Sequence, residues 1–493
     1  MIHKIFNKTS AAIFVAATTL WRAYLSATMQ LHPDEAYYWL WSRHLDFGYY
    51  DHSPLVAYFI KSTTLFSQSE LSVRLSSIIG LLIITWLLWK LAMEMFESET
   101  AAAASVILFN SLPLVMSGSI IITPDQPAFF FWSISVYLAW ELVRTKKSYY
   151  WYLLGAAFGL SLLSKYTAVL FAPSLFLFII FSEERKWLKT PHPYIALALG
   201  FAFFLPVVYW NSLHEWISFK FQLGHGLAGQ QYSPVRLIEY IGGQMMVAGP
   251  VLFAAGIYAS FVYLFRKDKK MLFLSLMTLP ILLFFAYSSL KKSAGPNWPA
   301  FAYFSFSLIA GAYLTEGGKA RNIILALSVI TSFLLSFTAT LHARFGIIPL
   351  HSISKDMAEA DATQFFHGYR ELGREILRHP EIRFALTSSH QLSAEIAYYT
   401  KEQVYAYIDP QFTRLSQFNY WGFPKELADK DGLYIYLEGD GVGPYNDYFY
   451  STGEIIHLNV RRGKYPLRNY RMIKGVGFKP AAEEKKEVEK LNT

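Results

Sequence analysis

Cysteine is absent from all 493 residues, which excludes disulfides, thiolate nucleophiles and cysteine-held metals. Charge is scarce too: Asp, Glu, Lys and Arg together make up 16%, against about a quarter in an average soluble chain. Apolar residues replace it, at 53% of the chain, and runs near the ~20 residues that span a bilayer recur through the first 345 positions. The chain lies outside the soluble globular average, and an α-helical polytopic membrane protein is predicted. The net charge of +8 does not point to nucleic acid. Its lysines and arginines fall in short clusters between apolar runs, which is the positive-inside pattern of membrane proteins.

The spans are read as 8–27, 71–93, 101–118, 126–143, 150–164, 166–182, 194–213, 241–265, 271–290, 298–314 and 322–341, about eleven transmembrane helices. The first run is read as an uncleaved anchor with a cytoplasmic N-terminus. Counting loops from there puts Arg144/Lys146/Lys147, Arg185/Lys186/Lys189, Arg266/Lys267/Lys269/Lys270 and Lys319/Arg321 on the cytoplasmic side. The unusual polar groups of the membrane part then converge on the external face. Residues 1–345 are expected to form a transmembrane catalytic domain whose first external loop, 28–70, carries aromatic residues suited to an interfacial helix. Residues 346–478 read as an external α/β domain, with strands near 383–387, 404–408, 433–437 and 455–460 and a helix near 391–400. The Glu- and Lys-rich stretch 479–493 reads as a disordered tail.

Chemistry concentrates in that external set. Asp34 and Glu35, in His32-Pro33-Asp34-Glu35-Ala36-Tyr37-Tyr38-Trp39, stand where the chain leaves the bilayer. Ionisable groups are costly there, so they mark a functional site by default. Asp34 is the candidate general base towards an acceptor hydroxyl; the plainer alternative is a helix cap. Asp125, between Pro124 and Pro127, is the second candidate acid, again with a cap as the alternative. Lys165 interrupts the apolar stretch 159–171 and is read as an anion binder. His52 could donate to a phosphate oxygen. His225, in Gly224-His225-Gly226-Leu227-Ala228-Gly229, lies in a glycine-rich loop that could close as a lid, but the Lys-Ser/Thr ending of a Walker loop is missing. Lys291 and Lys292 break the charge bias on the external face and suggest contact with an anionic lipid or substrate. Carboxylates and cations on one external face suit transfer of a group from a lipid phosphate, whose leaving anion needs cationic stabilisation and whose acceptor needs one base. No ligand cluster has metal-site spacing, yet a weakly held Mg²⁺ or Mn²⁺ between Asp34 and a donor phosphate is compatible with the residues.

These stretches, with Gly48-Tyr49-Tyr50-Asp51-His52-Ser53-Pro54-Leu55, Thr123-Pro124-Asp125-Gln126-Pro127, Gly159-Leu160-Ser161-Leu162-Leu163-Ser164-Lys165-Tyr166, residues 292–299, 391–399 and 416–421, resemble the bacterial branch of the dolichyl-phosphate-mannose–protein mannosyltransferase superfamily. Its members are C-type glycosyltransferases that use polyprenyl-phosphate sugars. The resemblance implies that Asp34 matches the catalytic base of the first external loop and Asp125 the second-loop acid. In related aminoarabinose transferases acting on lipid A, a later lysine matches Lys165, whereas the lysine before the first-loop proline is replaced here by His52. The expectation is an inverting glycosyltransferase of the bacterial inner membrane with its active site facing the periplasm. It would take a sugar from an undecaprenyl-phosphate-type donor and pass it to an envelope acceptor, a lipid A-like glycolipid first. Membrane lipids are its surroundings and nucleic acid is no partner. The alternatives are a protein O-mannosyltransferase-like enzyme, a flippase or transporter of lipid-linked sugars, and a non-catalytic glycan sensor.

Overall fold

The computed structural model describes residues 5–227, 232–266, 268–409, 414–422, 425–439, 443, 445–462 and 465–479. The chain divides into two units, Met1–Thr28 with Leu45–Leu341 and Met29–His44 with His342–Thr493. The expected tail beyond 479 lies outside the described residues.

The first unit is helical and multi-pass. Each of the eleven apolar runs falls on a helix or a bent helix pair. Capping chemistry sets the ends: Ser69 Oγ accepts the Ser72 N–H at 3.2 Å and opens Glu70–Phe96. Glu97, at φ 52°, closes that helix, and Ser98 Oγ at once caps Glu99–Ser111. Among the described residues, four helices are long and apolar enough to cross a membrane, or up to seven if each bent pair is one span. The remaining expected crossings fall on shorter or more polar helices, such as Ala302–Thr315.

One expected straight span, 241–265, is instead two helices, Pro234–Ala248 and Pro250–Leu264, bent by 106°. The bend falls at Gly249, whose φ is +88°, followed by a proline that supplies no N–H to continue the helix. Helices meet most closely through small residues. A Cβ on Gly155 would lie 2.4 Å from the Ala196 carbonyl oxygen, and one on Gly159 would lie 2.6 Å from that of Gly200, so Tyr149–Leu162 and His192–Leu213 touch backbone to backbone.

The basic loops share an end, as the alternation of the spans requires. Lys146 and Lys269 both bond the buried Glu184, Lys269 at 3.0 Å. Lys270 Nζ donates to the Met95 carbonyl at 2.6 Å, and Arg144 grips Glu141 through two N–H groups at 2.9 and 2.7 Å.

Among the described residues the second unit carries the strands β1 Phe384–Thr387, β2 Tyr405–Ile408, β3 Gly432–Leu437, β4 Phe449–Arg462 and β5 Tyr465–Phe478. They form one sheet of order β2-β1-β3-β5-β4. β1 pairs parallel with β2 and β3, while β5 runs antiparallel between β3 and β4. Four strands and the His390–Tyr399 helix stand near their expected places. β5 was not expected, because Pro466, Gly475, Gly477 and its basic residues break the apolar alternation. The helix Pro33–Arg43, expected with the membrane part, belongs to this unit. Its aromatic face is built in: Tyr37 OH accepts the Gln417 N–H at 2.7 Å, Trp39 meets Tyr398 edge-on at 5.0 Å, and Arg43 pairs with Glu402 at 2.9 Å.

Gly249→Ala is expected to lower the thermal midpoint of the detergent-solubilised protein, by strain of roughly 1–3 kcal/mol. A Cβ there would stand 2.1 Å from Ser332 Oγ as well as adopting a positive φ. Adding Ser332→Ala relieves the contact but not the dihedral, so melting curves of the double variant should recover only part of the loss.

Candidate functional site

The candidate residues divide between the units. His52, Asp125, Lys165, Lys291 and Lys292 belong to the first, and Asp34 and Glu35 to the second.

In the first unit the Thr123-Pro124 turn feeds the helix Asp125–Thr145. Gln126 Oε1 accepts the Thr123 N–H at 2.5 Å. Asp125 is not the cap of that helix. Its Oδ1 accepts from Lys165 Nζ at 2.5 Å and its Oδ2 from Asn297 Nδ2 at 2.9 Å. Lys165 stands at a break: Tyr149–Leu162 ends, the backbone turns extended at φ −153° and ψ 132°, and a 3₁₀ turn follows at Tyr166–Leu170. The side chains of Lys165 and Asp125 are only 10% and 14% exposed, so the pair is largely withdrawn from water.

The first loop is stitched to the same break. Ser53 Oγ donates to the Leu162 carbonyl at 3.2 Å, and Leu55 N to that of Leu163 at 3.3 Å. The Gln222 amide nitrogen donates to the Asp51 carbonyl and lies 3.2 Å from His52 Nδ1. A main-chain carbonyl can only accept, so this amide end is NH₂, His52 Nδ1 is the acceptor, and the ring proton sits on Nε2.

The other candidate cations are engaged locally. Lys291 Nζ lies over the rings of Tyr287 and Tyr232, at 5.1 and 5.8 Å. Lys292 Nζ donates to the Gly224 carbonyl at 3.3 Å. The segment expected as a glycine-rich loop is helical over Ile217–Leu227; the His225 side chain and residues 228–231 lie outside the described residues.

In the second unit the two adjacent acids part company. His32 caps Pro33–Arg43, and Glu35 completes a capping box by accepting the His32 N–H at 2.9 Å. Glu35 is fully buried, so the residue expected to touch substrate is built into the helix start. Asp34 is not a cap. Its side chain is 40% exposed, and Oδ1 accepts from Gln391 Nε2 at 3.2 Å. His390 lies beside it, packed on the Tyr37 ring at 4.8 Å. Burial first, then the Arg414 charge, pushes the His390 imidazole down to about 4, against an opposing pull from Asp34. His390 is therefore neutral at pH 7.

Asn297, Gln222 and Gln391 carry contacts that the sequence did not assign. Asn297 and Gln391 lay within stretches recognised for their resemblance, and only the fold reveals their partners. Among the described residues, no three His, Cys, Asp or Glu gather as a metal site. Asp34 offers one carboxylate, which does not make a resident cation site by itself.

The model of the dolichyl-phosphate-mannose-protein mannosyltransferase family matches residues 51–210, the stretch that holds His52, Asp125 and Lys165. ArnT from Cupriavidus metallidurans, in its crystal structure bound to undecaprenyl phosphate, superposes with a TM-score of 0.68 at 12% identity, over 94% of this chain and 97% of that one. The chain has the C-type glycosyltransferase fold. The apo form of ArnT matches with a TM-score of 0.63 at 12% identity, over 94% of this chain and 98% of that one. A curated relative, the lipid A galacturonosyltransferase RgtD of Rhizobium johnstonii, is 26% identical over 320 residues, which span 61% of this chain and 64% of the relative. The resemblance read from the motifs is borne out at the level of the superfamily.

Two outcomes are expected. A double-mutant cycle of Asp125→Asn and Lys165→Met, followed by thermal unfolding in detergent, should show each single change destabilising. Their coupling should be on the order of 3 kcal/mol, because either change alone strands a poorly solvated charge. For His390 the folded value, about 4, lies below the ordinary 6.5, so between those values the unfolded chain binds the extra proton. Its contribution is intact above about pH 6.5 and is lost as pH falls towards 4. His390→Gln should therefore lose less midpoint between pH ~6.5 and ~4.5 than the parent chain does.

Proposed function

We propose that this chain is an inverting glycosyltransferase that moves one sugar from a polyprenyl-phosphate donor to a hydroxyl of an envelope glycolipid. The observation that carries the reading is the Asp125–Lys165–Asn297 cluster with the His52 loop stitched beside it; of these, His52, Asp125 and Lys165 fall inside the stretch matched by the family model.

The chemistry follows from what breaks and what forms. The acceptor oxygen attacks the anomeric carbon, and its proton passes to the Asp34 carboxylate. The bond from that carbon to the phosphate oxygen breaks, and the electron pair leaves with the phosphate. A single displacement inverts the anomeric centre and needs one base, not the paired carboxylates of a glycosidase. The departing charge falls to the Lys165 ammonium and the His52 Nε2–H. Asp125 and Asn297 act through Lys165, by fixing where its ammonium stands; an amine held at a distance of 2.5 Å gains no mobility when the donor arrives. A neutral His52 carrying its proton on Nε2 can still donate, so the histidine in place of lysine keeps one hydrogen bond to phosphate and gives up a fixed charge.

The donor is assigned to the undecaprenyl-phosphate type, supported by the ligand of the ArnT crystal structure. A lipid A-like acceptor is supported by the activity for which RgtD is named. A protein hydroxyl is the second reading, favoured by the description of the family model. The site is assigned to the periplasmic face of the inner membrane, where both acceptors are found.

The test is mass spectrometry of lipid A and envelope proteins from cells lacking this chain, complemented with the parent or with Asp34→Asn. Loss of one sugar mass from lipid A, restored by the parent and reduced by about 10²–10⁴-fold with Asp34→Asn, is the expected result. A sugar missing from protein instead moves the acceptor, and an unchanged envelope overturns the enzyme reading.

A further inference from the structure

We propose that Gln391 is a positioning residue for Asp34: its amide pins one carboxylate oxygen so that the other is presented to the acceptor hydroxyl. The proposal rests on the reading of Asp34 as the base and deepens it. All the contacts involved lie within the second unit.

A carboxylate on an otherwise unrestrained side chain turns about two bonds, and a base that must meet a hydroxyl in line with an anomeric centre gains from losing that freedom before substrate arrives. The backbone of Asp34 is already fixed. It sits in the first turn of Pro33–Arg43, with its own N–H given to His32 Nδ1 at 3.3 Å. That bond makes Nδ1 a lone-pair site, so the His32 ring nitrogen 3.8 Å from Asp34 Oδ2 offers it no proton. His390 is neutral. The other charged or titratable neighbours that sense this corner are Tyr369, through Asp34 itself, and Arg414, through His390. Among the described residues, the side-chain hydrogen bond donated to the carboxylate is the one from Gln391 Nε2 to Oδ1, at 3.2 Å.

Gln391 stands on rigid ground. It is the second residue of His390–Tyr399, whose cap Ser389 Oγ accepts the Leu392 N–H at 3.2 Å. The next turn is tied to the end of β1 by a 2.8 Å bond between Thr387 Oγ1 and Ser393 Oγ. Helix and strand thus hold the amide in place, and the amide holds Oδ1. The choice of donor matters as well. An arginine or lysine would hold the oxygen harder but stabilise the charged form and weaken the base, whereas a neutral amide orients it with little loss of basicity. Oδ2 is left to receive the proton.

The experiment uses the full chain in lipid nanodiscs with an undecaprenyl-phosphate-linked sugar and purified lipid A. It compares Gln391→Ala, Gln391→Asn, Gln391→Glu and Asp34→Asn, each checked for an unchanged melting midpoint. Gln391→Ala should lower kcat about 10- to 100-fold while leaving the donor KM within about twofold, and Gln391→Asn should restore part of the loss. Gln391→Glu places a second carboxylate against Asp34 and should move the acidic limb of the kcat/KM profile up by about one pH unit. A purely structural role would move the melting midpoint and leave that limb in place. Full activity and an unshifted limb in the Gln391 variants, beside an inactive Asp34→Asn, overturn the positioning role alone. Full activity in Asp34→Asn overturns the base assignment on which it rests.

Discussion

An ammonium group set into an apolar helix run has to be neutralised where it stands, and the first unit is organised around that requirement. Lys165 cannot be carried by a regular helix in lipid without a large desolvation cost. The chain therefore breaks at 163–166, turns the lysine inward and meets it with the carboxylate at the head of Asp125–Thr145. The break in turn leaves main-chain carbonyls at Leu162 and Leu163 without helical partners, and Ser53 and Leu55 of the first loop supply the missing donors. One buried charge thus fixes a helix break, a helix start and a loop. Removing two charges from water gains little stability by itself, so this arrangement is better understood as a device for holding a cation at a chosen point than as a source of fold stability.

The adjacent acids of the first loop make the same point from the other side. Glu35 and Asp34 differ by one position on a helix turn, about 100° of rotation. That rotation sends Glu35 back to the backbone of His32 and leaves Asp34 half in water. Two identical functional groups acquire opposite destinies from the helix period alone.

That distinction was not legible from the residues, because it depends on which residue caps the helix. His32 takes the cap that the sequence offered to Asp34. The apolar runs were legible, since a 20-residue hydrophobic stretch has few other readings, and the alternating basic loops ordered them correctly enough for Lys146, Lys269 and Glu184 to meet. The right-angle bend at Gly249 was marked by its Gly249-Pro250 pair, but the apolar run continues on both sides and reads as one span. The contacts of Asn297 and Gln391 were hidden for a plainer reason. They join residues 172 and 357 positions away, and no local pattern encodes such a pairing. Strand β5 was missed because a strand with a proline near its start, glycines near its end and basic residues between them carries no clean alternation.

The second unit is discontinuous in the chain. Its aromatic-rich helix, Pro33–Arg43, is made near the start of synthesis, whereas the His390–Tyr399 helix that packs on Tyr37 and Trp39 is made after position 342. At a ribosomal pace of roughly 5–20 residues per second, that helix waits for tens of seconds with its binding face uncovered, while the membrane part is being inserted. The order of manufacture thus gives the Pro33–Arg43 helix a period as an isolated segment before it becomes part of a domain.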